Sequence, residues 1–217
     1  MAIDVTLVLN STAYGTRTNT TATEPTSAAE NDIFIAALYI KSDSAVTAPS
    51  GWDLLYSVNF VSGAVNLYVY GIRRGASSPA LTWTHASAVT ELCIKRYTGC
   101  ALSGSYEDCT GSTNSATGSY TYTATSITTA SDGAALVMIA AEYDGGYAIT
   151  FGSWTSPLTE RYDGRLVGMA DGLQASAGAS GNKTATGSDA VEWATVMLAL
   201  KPAAAGGGNP WYYYAQQ

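Results

Sequence analysis

Five short segments of this chain recur in the same order about one hundred residues later, and this repeat constrains the fold more than any other feature. Residues 32–39 are matched by 132–139, Ser50-Gly51-Trp52 by Gly152-Ser153-Trp154, and 54–56 by 158–162. Residues 66–69 correspond to 165–168, and 88–94 to 190–196. Half of the chain, with four or five strands, cannot close a core of its own, so two such halves are expected to pack together. The repeat halves span about 30–99 and 130–201 and meet in the Gly/Ser/Thr-rich stretch 99–118.

The segments read as strands. Ile3, Val5, Leu7 and Leu9 alternate with other residues, which is the period of a half-buried strand. Residues 33–40 are apolar on both faces and fit a strand inside a sandwich. Further strands are expected at 52–61, 65–72, 81–85 and 89–97, with turn signals every eight to twelve residues and no helical stripe. The Thr/Asn-rich stretch 10–30 reads as loop-like or loosely extended. The expectation is an all-β, two-sheet antiparallel β-sandwich, jelly-roll-like and built from the two halves, over residues 1–202. Its core should include Ile35, Leu38, Leu67, Val69, Leu92, Ile94, Leu136, Met138, Val196 and Leu198. Trp52 and Trp154, each just past a turn, are expected to seal core or rim.

Composition narrows the function. Charged residues are only 12% of the chain, so Ser, Thr and Tyr hydroxyls must carry much of the surface polarity. The net charge of −7, with ten scattered basic residues, excludes the clustered Lys/Arg footprint of a nucleic-acid binder. Arg73-Arg74 and Lys95-Arg96 read as solvated charges. The longest apolar run, 134–141, is too short to span a bilayer. Met1-Ala2-Ile3-Asp4 opens no export signal, so synthesis and assembly in the cytoplasm are expected.

No residue set points to a reaction. His85 is the only histidine, and no Gly-x-Ser-x-Gly elbow accompanies it. It reads as a strand or turn histidine with an ordinary hydrogen bond. One histidine and three scattered cysteines offer no zinc spacing. Cys93 reads as a small buried hydrophobe, while Cys100 and Cys109 flank a loop where they could pair. Glu107-Asp108 and Glu142-Tyr143-Asp144 read as solvated carboxylates, or at most as a weak calcium site. The expectation is a protein that is not an enzyme, with no catalytic, cofactor or metal residues.

The tail is different in kind. Residues 203–208 form a small-residue linker ending in three glycines, followed by Asn209, Pro210, Trp211, Tyr212, Tyr213 and Tyr214. Residues 203–217 therefore read as a flexible linker and an aromatic C-terminal docking arm, since Trp and Tyr dominate interface hot spots. Pro210, Trp211, Tyr212, Tyr213 and Tyr214 are the expected partner-binding residues.

Ala48-Pro49-Ser50-Gly51-Trp52, Asn66-Leu67-Tyr68-Val69-Tyr70, Ala80-Leu81-Thr82-Trp83-Thr84 and Ile94-Lys95-Arg96-Tyr97-Thr98-Gly99, with the closing Trp193-Ala194…Ala199-Leu200 strand, resemble a family of Thr/Gly-rich proteins common in bacteriophage genomes. The resemblance covers residues 3–202 and omits the tail. It implies a virion structural protein, of the tail or of the capsid surface; a short single-domain chain with an anchoring arm favours a capsid decoration (cement) protein over a tail or tail-fibre component. Other virion proteins and further copies of the chain would be its partners, in an oligomer without nucleic acid or membrane. A carbohydrate- or receptor-binding module, with a glycan as ligand, is the rival from another class.

Overall fold

A computed structural model describes residues 2–6, 9–143 and 150–204. The first half contributes β1 (Leu9–Thr21), β2 (Ile33–Lys41), β3 (Asp53–Phe60), β4 (Val65–Arg73) and β5 (Thr82–Tyr97). The second contributes β6 (Ser112–Ala124), β8 (Ala134–Glu142), β10 (Thr159–Asp163), β11 (Val167–Gln174) and β13 (Lys183–Leu200). Three two-residue pieces, β7 (Thr128–Thr129), β9 (Phe151–Gly152) and β12 (Gly178–Ala179), lie between them. No helix occurs among the described residues.

Each half forms one antiparallel sheet. The orders are β1-β5-β2-β4-β3 and, read from the corresponding edge, β6-β13-β8-β11-β10. The second order is the first repeated strand for strand. The sheets lie face to face, with β3 over β13 and β6, and β5 over β11. Corresponding strands thus sit at opposite ends of the two layers, as two like halves do about an approximate twofold axis. The fold is an all-β sandwich, and its jelly-roll likeness stops at the layering, because each half keeps its five main strands in one sheet.

The space between the sheets is filled by Ile33, Ile35, Ala37 and Tyr39 of β2, and Leu67 and Val69 of β4. Val137 and Ile139 of β8 meet them with Val196 and Leu198 of β13. The outer faces are also covered, so β2 and β8 are buried almost end to end. On the first sheet Phe34, Leu38, Leu92 and Ile94 pack beneath Trp52 and Trp83. On the second, Leu136, Met138 and Met197 pack beneath Leu158, with Trp154 partly buried against them. All ten expected core residues are fully buried. They divide evenly, with Ile35, Leu67, Val69, Val196 and Leu198 between the sheets and the other five on outer faces.

The turn before Trp52 explains its placement. Gly51 at φ 88° lets the chain reverse and brings the Trp52 N–H to the Pro49 carbonyl at 3.3 Å. The indole then lies 5.1 Å from Trp83 between ring centroids, and its Nε1 donates to the Ala80 carbonyl at 2.9 Å. Trp154 instead donates from Nε1 to Glu160 Oε2 at 2.8 Å.

Five expectations are corrected. Much of the stretch 10–30, read as loop-like or loosely extended, is the regular strand β1, and the later part of the stretch 99–118 begins β6. Both are edge strands. Their hydroxyl-rich sequences carry no apolar alternation, and β1 is held partly by Thr20–Thr90 and Thr21–Thr82 side-chain hydrogen bonds at 2.8 and 2.9 Å. The strand expected from Ile3 reduces, over residues 3–6, to a bridge between Asp4 and Thr98. The separate strands expected at 81–85 and 89–97 are one continuous β5. Finally, the residue matching of the repeat is out of register by an odd number of residues in two strands. Val69 and Cys93 point between the sheets, whereas Gly168 and Thr195, assigned to them, sit at outward positions. Strands buried on both faces lack the alternation that would fix register.

Candidate functional site

The most polar part of the interior is a seam from β5 across to the second sheet. Lys95, between the inward-facing Cys93 and Tyr97, is wholly buried, as is Asp171 of β11. Lys95 Nζ lies 3.4 Å from Asp171 Oδ2, and the Tyr97 hydroxyl donates to the same oxygen at 3.0 Å. Arg161 Nε, from β10, donates to Asp171 Oδ1 at 2.6 Å. Lys95 also donates to the Val5 carbonyl at 3.0 Å. Burial pulls the Lys95 pKa down, against the attraction of Asp171 and Asp4 and helped by the repulsion of Arg161.

One turn of pleat away, Glu91 closes the same seam. Its Oε1 accepts the Tyr162 hydroxyl at 2.6 Å, and its Oε2 accepts the Leu166 N–H at 2.6 Å. Hydrogen-bonding residues of one sheet therefore reach the other through β5 and β10–β11. The corresponding inward positions on β13 and β4 hold Ala194, Val196, Leu198, Leu67 and Val69. The two halves share a topology but differ here, so the polar seam lies on one side of the approximate twofold only. With Lys95, Arg161 and Tyr97 converging on one carboxylate, this arrangement joins the two sheets.

Glu142 is the second buried carboxylate, a correction to its reading as solvated. It is fully buried beside Tyr122, whose ring stacks 5.5 Å from Trp193, and beside Phe151 and Ala140. The Tyr122 hydroxyl donates to Oε2 at 2.6 Å, while Oε1 has no hydrogen-bond partner among the described residues. Burial raises its pKa to about 8, opposed by the Tyr122 hydrogen bond and aided by Asp189, Asp163 and Glu91. Because the folded value lies above the unfolded one, its stabilising effect is full below the unfolded pKa and is lost as pH rises to about 8. Each tenfold difference in proton affinity between the two states is worth about 1.4 kcal/mol. Glu142→Gln should therefore match the parent near pH 4 and exceed it by a few kcal/mol near pH 9. Chemical denaturation at both pH values reads this directly, and parallel pH dependence in the two proteins would contradict it.

The other singled-out residues hold loops in place. His85 accepts or donates at Nε2 with Thr20 Oγ1 at 2.9 Å and at Nδ1 meets the Ala86 carbonyl at 2.7 Å. Glu107 receives the Tyr56 hydroxyl at 2.6 Å, and Asp108 Oδ2 receives the backbone N–H groups of Ala130 and Ser131 at 2.6 and 3.0 Å. Neither is a solvated charge. Nor are the basic pairs: Arg73 donates to Ala101, Arg74 pairs with Glu24, and Arg96 pairs with Asp32 at 2.6 Å. Cys93, Cys100 and Cys109 are free thiols, and burial pushes the Cys100 pKa up to about 12. Among the described residues no three His, Cys, Asp or Glu are placed to hold a metal ion. No helix of the described chain is long and apolar enough to cross a membrane. Asp144 and the expected partner-binding residues Pro210, Trp211, Tyr212, Tyr213 and Tyr214 lie outside the described residues.

A cavity lies at the end of the sandwich where β13 ends. It is an open groove of about 860 Å³, lined by Leu102, Pro202, Ala203 and Ala204 among others. Leu102 is 66% exposed there. Sequence reasoning missed the seam and this groove. The signal for the seam was the parity of Lys95 with Cys93 and Tyr97. Nothing local marked the groove, which forms from segments distant in sequence. Comparison with protein-family models, with curated proteins and with solved structures finds no match.

Proposed function

We propose that this chain is a structural protein of a bacteriophage particle, a capsid decoration (cement) protein held to its neighbours by its aromatic C-terminal arm. The phage assignment rests on the sequence resemblance of residues 3–202. The observation that carries the structural role is the use of the buried polar groups. Glu91, Lys95 and Asp171 are each committed to hydrogen bonds or ion pairs that join one sheet to the other. Such groups in a catalyst would converge on a cavity; here they hold layers together. The outer faces of both sheets are sealed by their own loops, which leaves the sandwich ends and edges for contact.

In this reading the sandwich is a rigid block, and affinity resides in a short arm with four consecutive aromatics. Burying each ring is worth about 1.5–3 kcal/mol before ordering costs, and fixing backbone costs about 1–2 kcal/mol per residue. Only a formed groove on a neighbouring chain can make that balance favourable. Purified protein added to particles stripped of it should co-sediment saturably. The full-length variant Trp211→Ser/Tyr212→Ser/Tyr213→Ser/Tyr214→Ser should remain folded and fail to sediment. Saturable binding by that variant, or none by the parent, would overturn the proposal.

A further inference from the structure

Three segments distant in sequence converge at one end of the sandwich. Residue 2 near the N-terminus, the crossing between halves at 99–104 and the exit from β13 are tied together there. The Ala203 N–H donates to the Gly99 carbonyl at 2.8 Å, and Ala101 N–H to the Lys201 carbonyl at 2.9 Å. Gly99 is required at this junction. It sits at φ 75°, and a Cβ there would come within 2.3 Å of the Ala2 carbonyl oxygen. The tied segments wall the open groove of about 860 Å³.

We infer that this groove receives the aromatic block, residues 211–214, of a second copy of this chain. The inference rests on the docking-arm reading and names the receptor for it. The chemistry is complementary. Leu102, Ala101, Pro202 and Ala203 offer apolar surface for rings, and Asp132 and Lys201 line the same groove. Asp132 can accept a tyrosine hydroxyl, and Lys201 can sit against an aromatic face. Leu102 is the most exposed large hydrophobic residue of the described chain and belongs to none of its buried clusters, so the fold does not account for it.

The chain's path chooses the second copy. Ala204, the last described residue, itself lines the groove, and six residues separate it from Trp211. Six residues reach at most about 20 Å when extended. The residue before a proline favours extended backbone, so the sequence Asn209-Pro210 disfavours a tight reversal into the groove beside Ala204. Two copies related by a twofold beside their grooves bring each arm root close to the partner's groove, and the exchange closes on itself.

Sedimentation velocity on the full chain tests this, alongside Leu102→Asp and the fourfold serine variant, with thermal melting as a control for folding. The parent should self-associate. Both variants should melt like the parent and dissociate with a constant about tenfold larger or more, as loss of a hot-spot anchor does. A monomeric parent, or a Leu102→Asp protein that associates like the parent, overturns the groove assignment. The docking-arm reading is judged separately by particle co-sedimentation. If the serine variant alone loses the particle, the arm docks elsewhere; if it keeps the particle, the arm reading falls too.

Discussion

Asp171→Ala should destabilise the protein by about 3–5 kcal/mol, the cost of leaving a buried charge without its partner. Asp171 lies between Lys95 and Arg161 and also holds the Tyr97 hydroxyl. Without it, Lys95 must stay charged in an apolar space or give up its proton, and Tyr97 loses its acceptor. Arg161 is partly exposed and can turn outward, so the penalty falls on Lys95 and Tyr97. The triple variant Lys95→Met/Tyr97→Phe/Asp171→Val removes every polar member at once and should recover most of the loss, because a well-packed apolar substitute for a buried ion pair is often neutral or better. Urea denaturation of the three proteins decides it. A single variant within about 1 kcal/mol of the parent would show that the seam is not a buried charge network.

Trp83→Ala should cost a similar amount, about 3–5 kcal/mol, for a different reason. Trp83 is wholly buried on the outer face of the first sheet, and its ring centroid lies 5.1 Å from Trp52 and 5.8 Å from Tyr70. Removing it leaves a cavity that the rigid sheet beneath cannot collapse into, and it unseats Trp52 together with the turn ahead of it. Trp83→Phe should cost much less. Phenylalanine keeps most of the ring contacts, and Trp83 Nε1 has no hydrogen-bond partner to lose. Equal losses for the two variants would mean that the indole nitrogen, and not packing, holds this face.

Both predictions concern residues whose roles were only partly written in the chain. The strand class was legible, because alternating or wholly apolar runs such as 33–40 and 134–141 recur between turn signals. The pairing of halves was legible from the repeat. β1 and β6 were not, since an edge strand of Thr, Ser and Asn is held by backbone ladders and hydroxyl pairs that leave no hydrophobic period. β5 looked broken because Ala86, Ser87 and Ala88 interrupt its apolar pattern, yet backbone pairing to β1 carries it through. The register of the repeat was illegible where both faces are buried. Lys95 and Asp171 looked like surface charges in isolation. Their burial follows only from the facing of two sheets, which places an inward cation on β5 opposite an inward anion on β11. The groove beside Leu102 depends on three segments meeting at one end, a tertiary fact with no local signal.

The topology also gives a reason for the halves to diverge. An apolar inner face on each half would allow either half to pair with a copy of itself. A lysine on one half and an aspartate on the other, at inward positions, favour the pairing of unlike halves within one chain.

An image reconstruction of the particles made by the genome that encodes this chain tests the central claim most directly. The expected result is a five-over-five-strand sandwich on the outer capsid surface, with density for an aromatic arm running from the end near Leu102 into a neighbouring chain. Absence of the protein from the particle, or its location in the tail alone, would contradict the decoration assignment.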